Sequence, residues 1–304
     1  MKNNVVVIGS TNVDKILNVK RFAKPGETMH ISNAQKIYGG GKGANQAIAT
    51  ARSGAKTTFV SKIGDEGDAS FMVEGFKKEN INTKNITTTN TAESGQAFIT
   101  VDENGQNTIL VYGGANMELN EEDVDKATEA IANADYIIAQ LEIPVPAIIK
   151  AFEIAQKNHV TTILNPAPAS ELPKKLLNLT DIIIPNETEA ELLSGIPVVD
   201  HSSMKQNAEY FLSLGIEIII ITLGSQGTYY ATQEESNLIP AFKVSAVDTT
   251  AAGDTFIGAF ASRFDINNLN FEESIKYANK AASISVQVEG AQKSIPFEED
   301  VLDV

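Results

Sequence analysis

Cysteine and tryptophan are absent from this sequence, and its three histidines, His30, His159 and His201, stand far apart. Without cysteine there are no disulfides and no thiolate zinc sites, and isolated imidazoles do not make a histidine-rich metal centre. Any metal should therefore be one that takes oxygen donors, such as magnesium or an alkali cation. Positive charge is also scarce: 24 Lys and Arg face 39 Asp and Glu, a formal net charge of −15. That balance argues against a basic surface for nucleic acid. It also means that an anionic small molecule would need backbone N–H groups, helix ends and bound cations to overcome the bulk field. Long apolar runs are missing as well. The N-terminal one, 5–8, is too short for a signal peptide or a membrane span. A cytoplasmic protein with no nucleic-acid or membrane partner is expected.

What is present is a steady alternation of short apolar runs, polar loops and amphipathic stretches. With 304 residues, 42 % apolar and 21 % charged, the chain suits one large α/β domain. The run Val5-Val6-Val7-Ile8 reads as a strand buried on both faces. Further strands are expected at 58–61, 136–139, 160–164, 181–185 and 217–222, and antiparallel edge strands at 229–231 and 241–245. Helices fall at 47–53, 69–80, 121–133, 146–158, 202–214, up to about 264, and 271–287, with Asn120 placed to cap the third. The order strand, polar loop, helix predicts an α/β fold: a doubly wound, mainly parallel sheet with helices on both faces. Two excursions, about 15–38 and 95–113, differ in texture, and Asn104-Gly105 marks a hairpin in the second. They are expected to form one small β-sheet lid on a single domain spanning 1–304, a structural edge extension being the alternative.

Polar residues fall just beyond strand ends at Asn12 and Asp14, Glu142, Asn186 and Glu189, Thr222 and Gly224, and Asp248 and Asp254. In an open α/β sheet such positions converge on one cleft. The glycine-rich run Gly39-Gly40-Gly41-Lys42-Gly43-Ala44-Asn45-Gln46 is neither a P-loop nor a dinucleotide fingerprint, because the required spacings are absent. It combines close backbone approach with the donor Lys42 and the amide Asn45, a set suited to a polyhydroxylated ligand. Near the other end, Asp248-Thr249-Thr250-Ala251-Ala252-Gly253-Asp254 opens an apolar helix. Small residues there let N–H groups approach an anion at the positive end of the helix dipole. Asp254 reads either as a favourable first-turn acid or as the base for an attacking hydroxyl. Taken singly, Lys42 also reads as a solvated loop lysine and Glu142 as a helix-entry acid.

Taken in order, Gly40-Gly41-Lys42-Gly43-Ala44-Asn45, Asn186-Glu187-Thr188-Glu189 and Asp248-Thr249-Thr250-Ala251-Ala252-Gly253-Asp254 resemble the signatures of the ribokinase family of carbohydrate kinases. The likeness runs from about 5 to 295, and Gly9-Ser10-Thr11-Asn12-Val13-Asp14 and Gln140-Leu141-Glu142 add to it. The resemblance implies transfer of the γ-phosphoryl group of ATP to O5 of D-ribose, with Mg2+ and K+ required. It places Asn12, Asp14, Gly40, Gly41, Lys42, Asn45 and Glu142 on the sugar, with Asp254 as base. Ala251, Ala252 and Gly253 would form the anion hole. Nucleotide would meet Asn186, Thr222, Gly224, Ser225, Gly227, Gly253 and Asn279, and Glu189 would order magnesium through water. A monovalent cation would sit at Asp248, Thr250, Ser285, Val288, Gly290 and Ser294. The resemblance also implies a homodimer joined through the lid. The stretch Tyr112-Gly113-Gly114-Ala115-Asn116 reads as a hinge without chemistry. The alternatives are a family kinase for another furanose or a nucleoside, a non-catalytic sugar or nucleotide sensor, and, more distantly, a dinucleotide oxidoreductase.

Overall fold

All four residues of the run 5–8 are fully buried, and alternate ones serve opposite sides of a sheet. The computed structural model describes residues 2–31, 35–65 and 70–302. The chain begins with β1 (Asn4–Ile8), β2 (Asn12–Asn18), β3 (Lys36–Gly40), α1 (Lys42–Arg52), β4 (Lys56–Gly64), α2 (Ser70–Lys78), β5 (Asn82–Thr89), β6 (Gly95–Val101) and β7 (Asn107–Tyr112). The middle runs α3 (Glu121–Lys126), α4 (Thr128–Ala132), β8 (Tyr136–Ala139), α5 (Val145–Lys157), β9 (Thr161–Leu164), α6 (Lys174–Leu177), β10 (Ile182–Ile183), α7 (Glu187–Ser194), α8 (His201–Ser213) and β11 (Ile218–Thr222). The last part is β12 (Thr228–Ala231), β13 (Ser236–Ile239), α9 (Ala252–Arg263), α10 (Phe271–Ser285) and α11 (Glu298–Leu302).

The main sheet has the order β13-β12-β11-β10-β9-β8-β1-β4-β5. Strands β11 to β5 in that order are parallel, and β12 and β13 are added antiparallel at one edge. Val5 and Val7 face a layer closed by α1, α2, α9 and α10, and Val6 and Ile8 face one closed by α3 to α8. Each such buried Val or Ile contributes roughly 1.5–3 kcal/mol, so a polar residue inside these strands would be costly. The doubly wound architecture expected from the alternation is the one observed. Among the described residues no helix is long and apolar enough to cross a membrane.

A second sheet, β3-β2-β6-β7, is separate from the first. It grows directly out of β1, with β2 pairing antiparallel to β3 and parallel to β6. Asn12 is in register with Gly40 and Gly95, and Asp14 with Tyr38 and Ala97. Because side chains alternate along a strand, Asn12 and Asp14 share one face of this sheet with Ala97 and Ile99.

Several segments differ from the sequence reading. Helix α1 starts at Lys42 rather than 47, because Gly41 turns the chain at φ +92° and Gly43 presses on Gly9. A Cβ on Gly43 would lie 2.5 Å from the Gly9 carbonyl carbon. The segment 241–245 is not a strand. The partner of β12 is β13, joined by a tight turn in which the Thr232 N–H donates to the Glu235 carbonyl at 2.8 Å. Such a short closure loses least chain entropy. The stretch 121–133 is two helices that break at Ala127, although Asn120 caps the first as expected, in a capping box with Asp123. Strand β5, rich in Asn and Thr, is an edge strand that apolar patterning does not reveal. Residues 32–34, inside the first expected lid excursion, and 66–69, which include the start of the expected 69–80 helix, lie outside the described residues.

Candidate active site

Helices α1 and α9 pack side by side because Gly258 removes the side chain between them. A Cβ there would lie 2.6 Å from Ala49 Cβ and 2.7 Å from the Gln46 carbonyl oxygen. One turn earlier, Asp254 meets Asn45 and Gln46, so the helices run parallel and their amino ends come together. These ends lie beyond the carboxyl ends of β1, β8 and β9, the expected ligand edge of such a sheet.

The two amino ends are in opposite states. At α1 the Lys42 N–H donates to Glu142 Oε2 (3.1 Å), Gly43 N–H to Ser10 Oγ (3.3 Å) and Ala44 N–H to the Ser10 carbonyl (2.9 Å). The Ser10 hydroxyl donates to the same Glu142 oxygen, so Glu142 is the acid that caps α1. Glu142 Oε1 keeps no protein partner among the described residues. At α9 the N-cap is Ala251, left-handed at φ +61°, with no capping side chain. That backbone costs about 1–2 kcal/mol for a residue with a Cβ. The Ala252 N–H turns back to the Thr249 carbonyl at 3.2 Å, which weakens its expected place in an anion hole. The N–H groups of Ala251, Gly253 and Asp254 have no protein acceptor among the described residues. Free amides at the positive end of a helix make an anion site.

Asp254 is buried at the floor of this site. Its Oδ2 accepts from Asn45 Nδ2 at 3.0 Å and its Oδ1 from Gln46 Nε2 at 2.8 Å. A cavity of about 190 Å³ runs from Lys42 and Asp254 past Glu189 and Asn186 to Thr222. The Asn45 Oδ1 is buried without a protein partner, an open acceptor beside the carboxylate. Burial alone would lower the pKa of Lys42, but the carboxylates of Asp254, Glu142 and Glu189 overcome it and hold the ammonium above its usual value. Burial raises Glu189, partly countered by the Asn186 N–H and Lys42. Asp14 is pushed up to about 7, first by burial and then by the neighbouring Glu142.

The structure therefore brings Asp14, Gly40, Gly41, Lys42, Asn45, Glu142 and Asp254 to one place. Asn12 joins them on β2 of the second sheet, with its Oδ1 accepting from Asn116 Nδ2 at 2.8 Å. Asn116 also accepts the Thr11 N–H at 2.9 Å, so the hinge read without chemistry holds the Asn12 amide. Asn186 and Glu189 cap α7 reciprocally, and Asn186 bridges to Thr222. Gly224, at φ +52°, and Gly227, at φ +113°, shape the exposed turn that carries Ser225. Asn279 differs from expectation. It is buried, its Oδ1 accepts the Thr228 hydroxyl at 2.7 Å and its Nδ2 donates to the carbonyls of Ile239 and Pro240, so its amide serves the fold.

Around Asp248 the loop is stitched by its own donors. Oδ1 accepts the N–H and hydroxyl of Thr250, and Oδ2 the Gly290 N–H at 2.8 Å. Burial would raise the Asp248 pKa, but these donors and Lys293 bring it below the usual value. The Val247 and Asp248 N–H groups both donate to the Val286 carbonyl, which ties this loop to the end of α10. The Ser285 carbonyl accepts the Val288 N–H, and the Ser294 hydroxyl donates to the Ala291 carbonyl at 2.7 Å.

A buried carboxylate in the first turn of an uncapped helix, beside hydroxyl-binding amides and a charged lysine, is the layout of a phosphotransferase acting on a hydroxylated small molecule. The chain belongs to the pfkB family of carbohydrate kinases, which it matches over residues 2–298. It is 61 % identical over 304 residues to the ribokinase of Staphylococcus aureus strain COL, with both chains covered in full. It is 37 % identical over 294 residues to a deoxyribokinase of Salmonella typhi, covering 96 % of this chain and 95 % of that one. The structure of Arabidopsis thaliana ribokinase complexed with ribose and ATP matches with a TM-score of 0.93 at 33 % identity, covering 100 % of this chain and 98 % of that one.

Proposed function

We propose that this protein transfers the γ-phosphoryl group of ATP to O5 of D-ribose. The observation that carries the reading is the coincidence of a buried base and free helix amides at Asp254. Asp254 takes the proton of the attacking hydroxyl as its bond to phosphorus forms, and the N–H groups of Ala251 and Gly253 receive the charge of the moving group. Lys42, kept positive by three carboxylates, neutralises the same charge. Asn12, Asp14, Asn45, Glu142 and the Gly40-Gly41 backbone hold the sugar hydroxyls. The lid, about 15–38 and 95–113 of a single domain, covers the sugar with the face bearing Asp14, Ala97 and Ile99.

ATP lies along Asn186, Thr222 and the turn from Gly224 to Gly227. Magnesium, when bound with it, would be held by Glu189, whose partly buried carboxyl favours a cation beside it, and would supply positive charge at the phosphates. Asp248, Thr250, Ser285, Val288, Gly290 and Ser294 offer oxygen donors with a single carboxylate. Neutral oxygens around one negative charge suit a singly charged ion such as K+. When bound, that ion supplies positive charge next to the anion site. The outer lid strand exposes Ile109, Leu110, Val111 and Tyr112. We read that apolar edge as the contact of a homodimer, and a monomeric mass in analytical ultracentrifugation would refute it.

A coupled assay for ADP with D-ribose, 2-deoxy-D-ribose, fructose and adenosine at matched concentrations tests the reaction. Ribose is expected to lead, 2-deoxyribose leading would move the reading to the sugar of the Salmonella relative, and no pentose turnover would end it. Asp254→Asn is expected to keep ribose binding while turnover falls by roughly 10²–10⁴. Near-normal turnover in that variant would remove Asp254 from the mechanism.

A further inference from the structure

Three buried amides form a chain behind Asp254: Gln46 touches its carboxylate, Asn165 also lines the cleft, and Gln140 reaches it only through Gln46. Gln46 and Gln140 are 0 % exposed and Asn165 is 6 % exposed, and they come from α1 and from just beyond β8 and β9. A primary amide can present either end, so its direction has meaning only when a partner is one-sided. Here two of the partners are, the Ile184 carbonyl and the Asp254 carboxylate, while Gln140 Oε1 is buried without a protein partner among the described residues. The Ile184 main-chain carbonyl only accepts, so Asn165 must turn its Nδ2 to it, at 3.1 Å. That points Asn165 Oδ1 at Gln46, whose Nε2 donates to it at 3.2 Å. The other proton of the same nitrogen goes to Asp254 Oδ1 at 2.8 Å. The Gln46 oxygen, now facing away, accepts from Gln140 Nε2 at 2.6 Å. Gln140 cannot withdraw towards β1 without reshaping it, since only the missing side chain of Gly9 leaves room for its amide.

We propose that Gln46 is a positioning residue that sets the rotation of the Asp254 carboxylate, and that Asn165, with Gln140, sets the direction of Gln46. Adjacent residues of α1 thus hold the two carboxylate oxygens separately, Gln46 on Oδ1 and Asn45 on Oδ2. The torsion they hold is a broad, two-fold one that would otherwise let the carboxylate swing. A base swung out of line with the attacking hydroxyl loses most of the advantage of being placed. The inference rests on the reading of Asp254 as base.

In the full-length protein, Gln46→Leu is expected to lower kcat on ribose roughly 10- to 100-fold. Ribose affinity measured directly by calorimetry should stay within about threefold, because the lost contact acts in the chemical step. The deciding measurement is the double variant. In an Asp254→Asn background, Gln46→Leu should lower the residual turnover no further, since it acts only through the carboxylate. A further drop there would mean a general structural role and would overturn the proposal, as would full turnover in Gln46→Leu alone. If Gln46→Leu does not fold, Asn165→Leu removes the orienting acceptor and should show a smaller kcat loss with the same non-additivity; unchanged kcat there overturns the proposal too. Active wild-type protein with an unaffected Gln46 variant defeats this inference alone. Wild-type protein inactive on every pentose defeats the parent reading with it.

Discussion

Replacing Asp14 by asparagine should make the unliganded protein more stable in neutral and alkaline buffer, with the gain fading towards acid. Burial, and then the charge of Glu142, hold the Asp14 carboxyl at about 7 in the folded protein instead of 3.8. As pH rises past about 4 the unfolded chain gives up this proton, whereas the folded protein keeps it until about pH 7. Across that window the folded state binds more protons, so stability falls with rising pH, and above it the deficit is constant. At 1.36 kcal/mol per pH unit the loss has an upper limit of about 4 kcal/mol, and partial solvent access at this half-buried position brings it nearer ~2 kcal/mol. Asparagine keeps the shape and has no charge to desolvate. The assay is urea unfolding of both proteins side by side from about pH 5 to about pH 8.5, reading the difference between them. The advantage of Asp14→Asn should grow up to about pH 7 and then level off. Parallel curves, with a difference independent of pH, would refute the reasoning. The same variant should raise KM for ribose, because the ionised form is the acceptor for sugar hydroxyls and its burial is tolerated for binding rather than stability.

Gly41→Ala should destabilise the protein by about 1–3 kcal/mol, since a side chain at a left-handed position is strained and the new Cβ has no room. That Cβ would stand 2.9 Å from the Asn12 N and 3.0 Å from the Ser10 carbonyl oxygen, so an unchanged thermal midpoint would contradict the geometry. Asp248→Asn should shrink the gain in turnover seen when sodium is replaced by potassium and leave ribose binding intact. A potassium response of wild-type size would clear Asp248 of any part in a cation site.

Much of the architecture is legible before any coordinates. Central strands covered on both faces read as unbroken apolar runs, and the polar residues just past strand ends, Asn12 and Asp14, Glu142, Asn186 and Glu189, Thr222 and Gly224, and Asp248 and Asp254, are expected at one edge from topology alone. Edges are less legible. The Asn- and Thr-rich β5 carries little apolar signal, and 241–245 reads as a strand although β12 already has its partner in β13.

Composition and local order alone determine that this chain folds as a doubly wound α/β domain with two small-residue helix starts, because burial patterning and backbone freedom are properties of neighbouring residues. Which helix start is left open is decided in space. Glu142 and Ser10 close the amino end of α1 from beyond other strands, whereas among the described residues no side chain caps that of α9. Gln46, Asn165, Gln140 and Asn116 likewise read as ordinary polar residues. Gln46 and Asp254 stand 208 positions apart in the chain, and an amide has a direction only once a one-sided partner is packed against it.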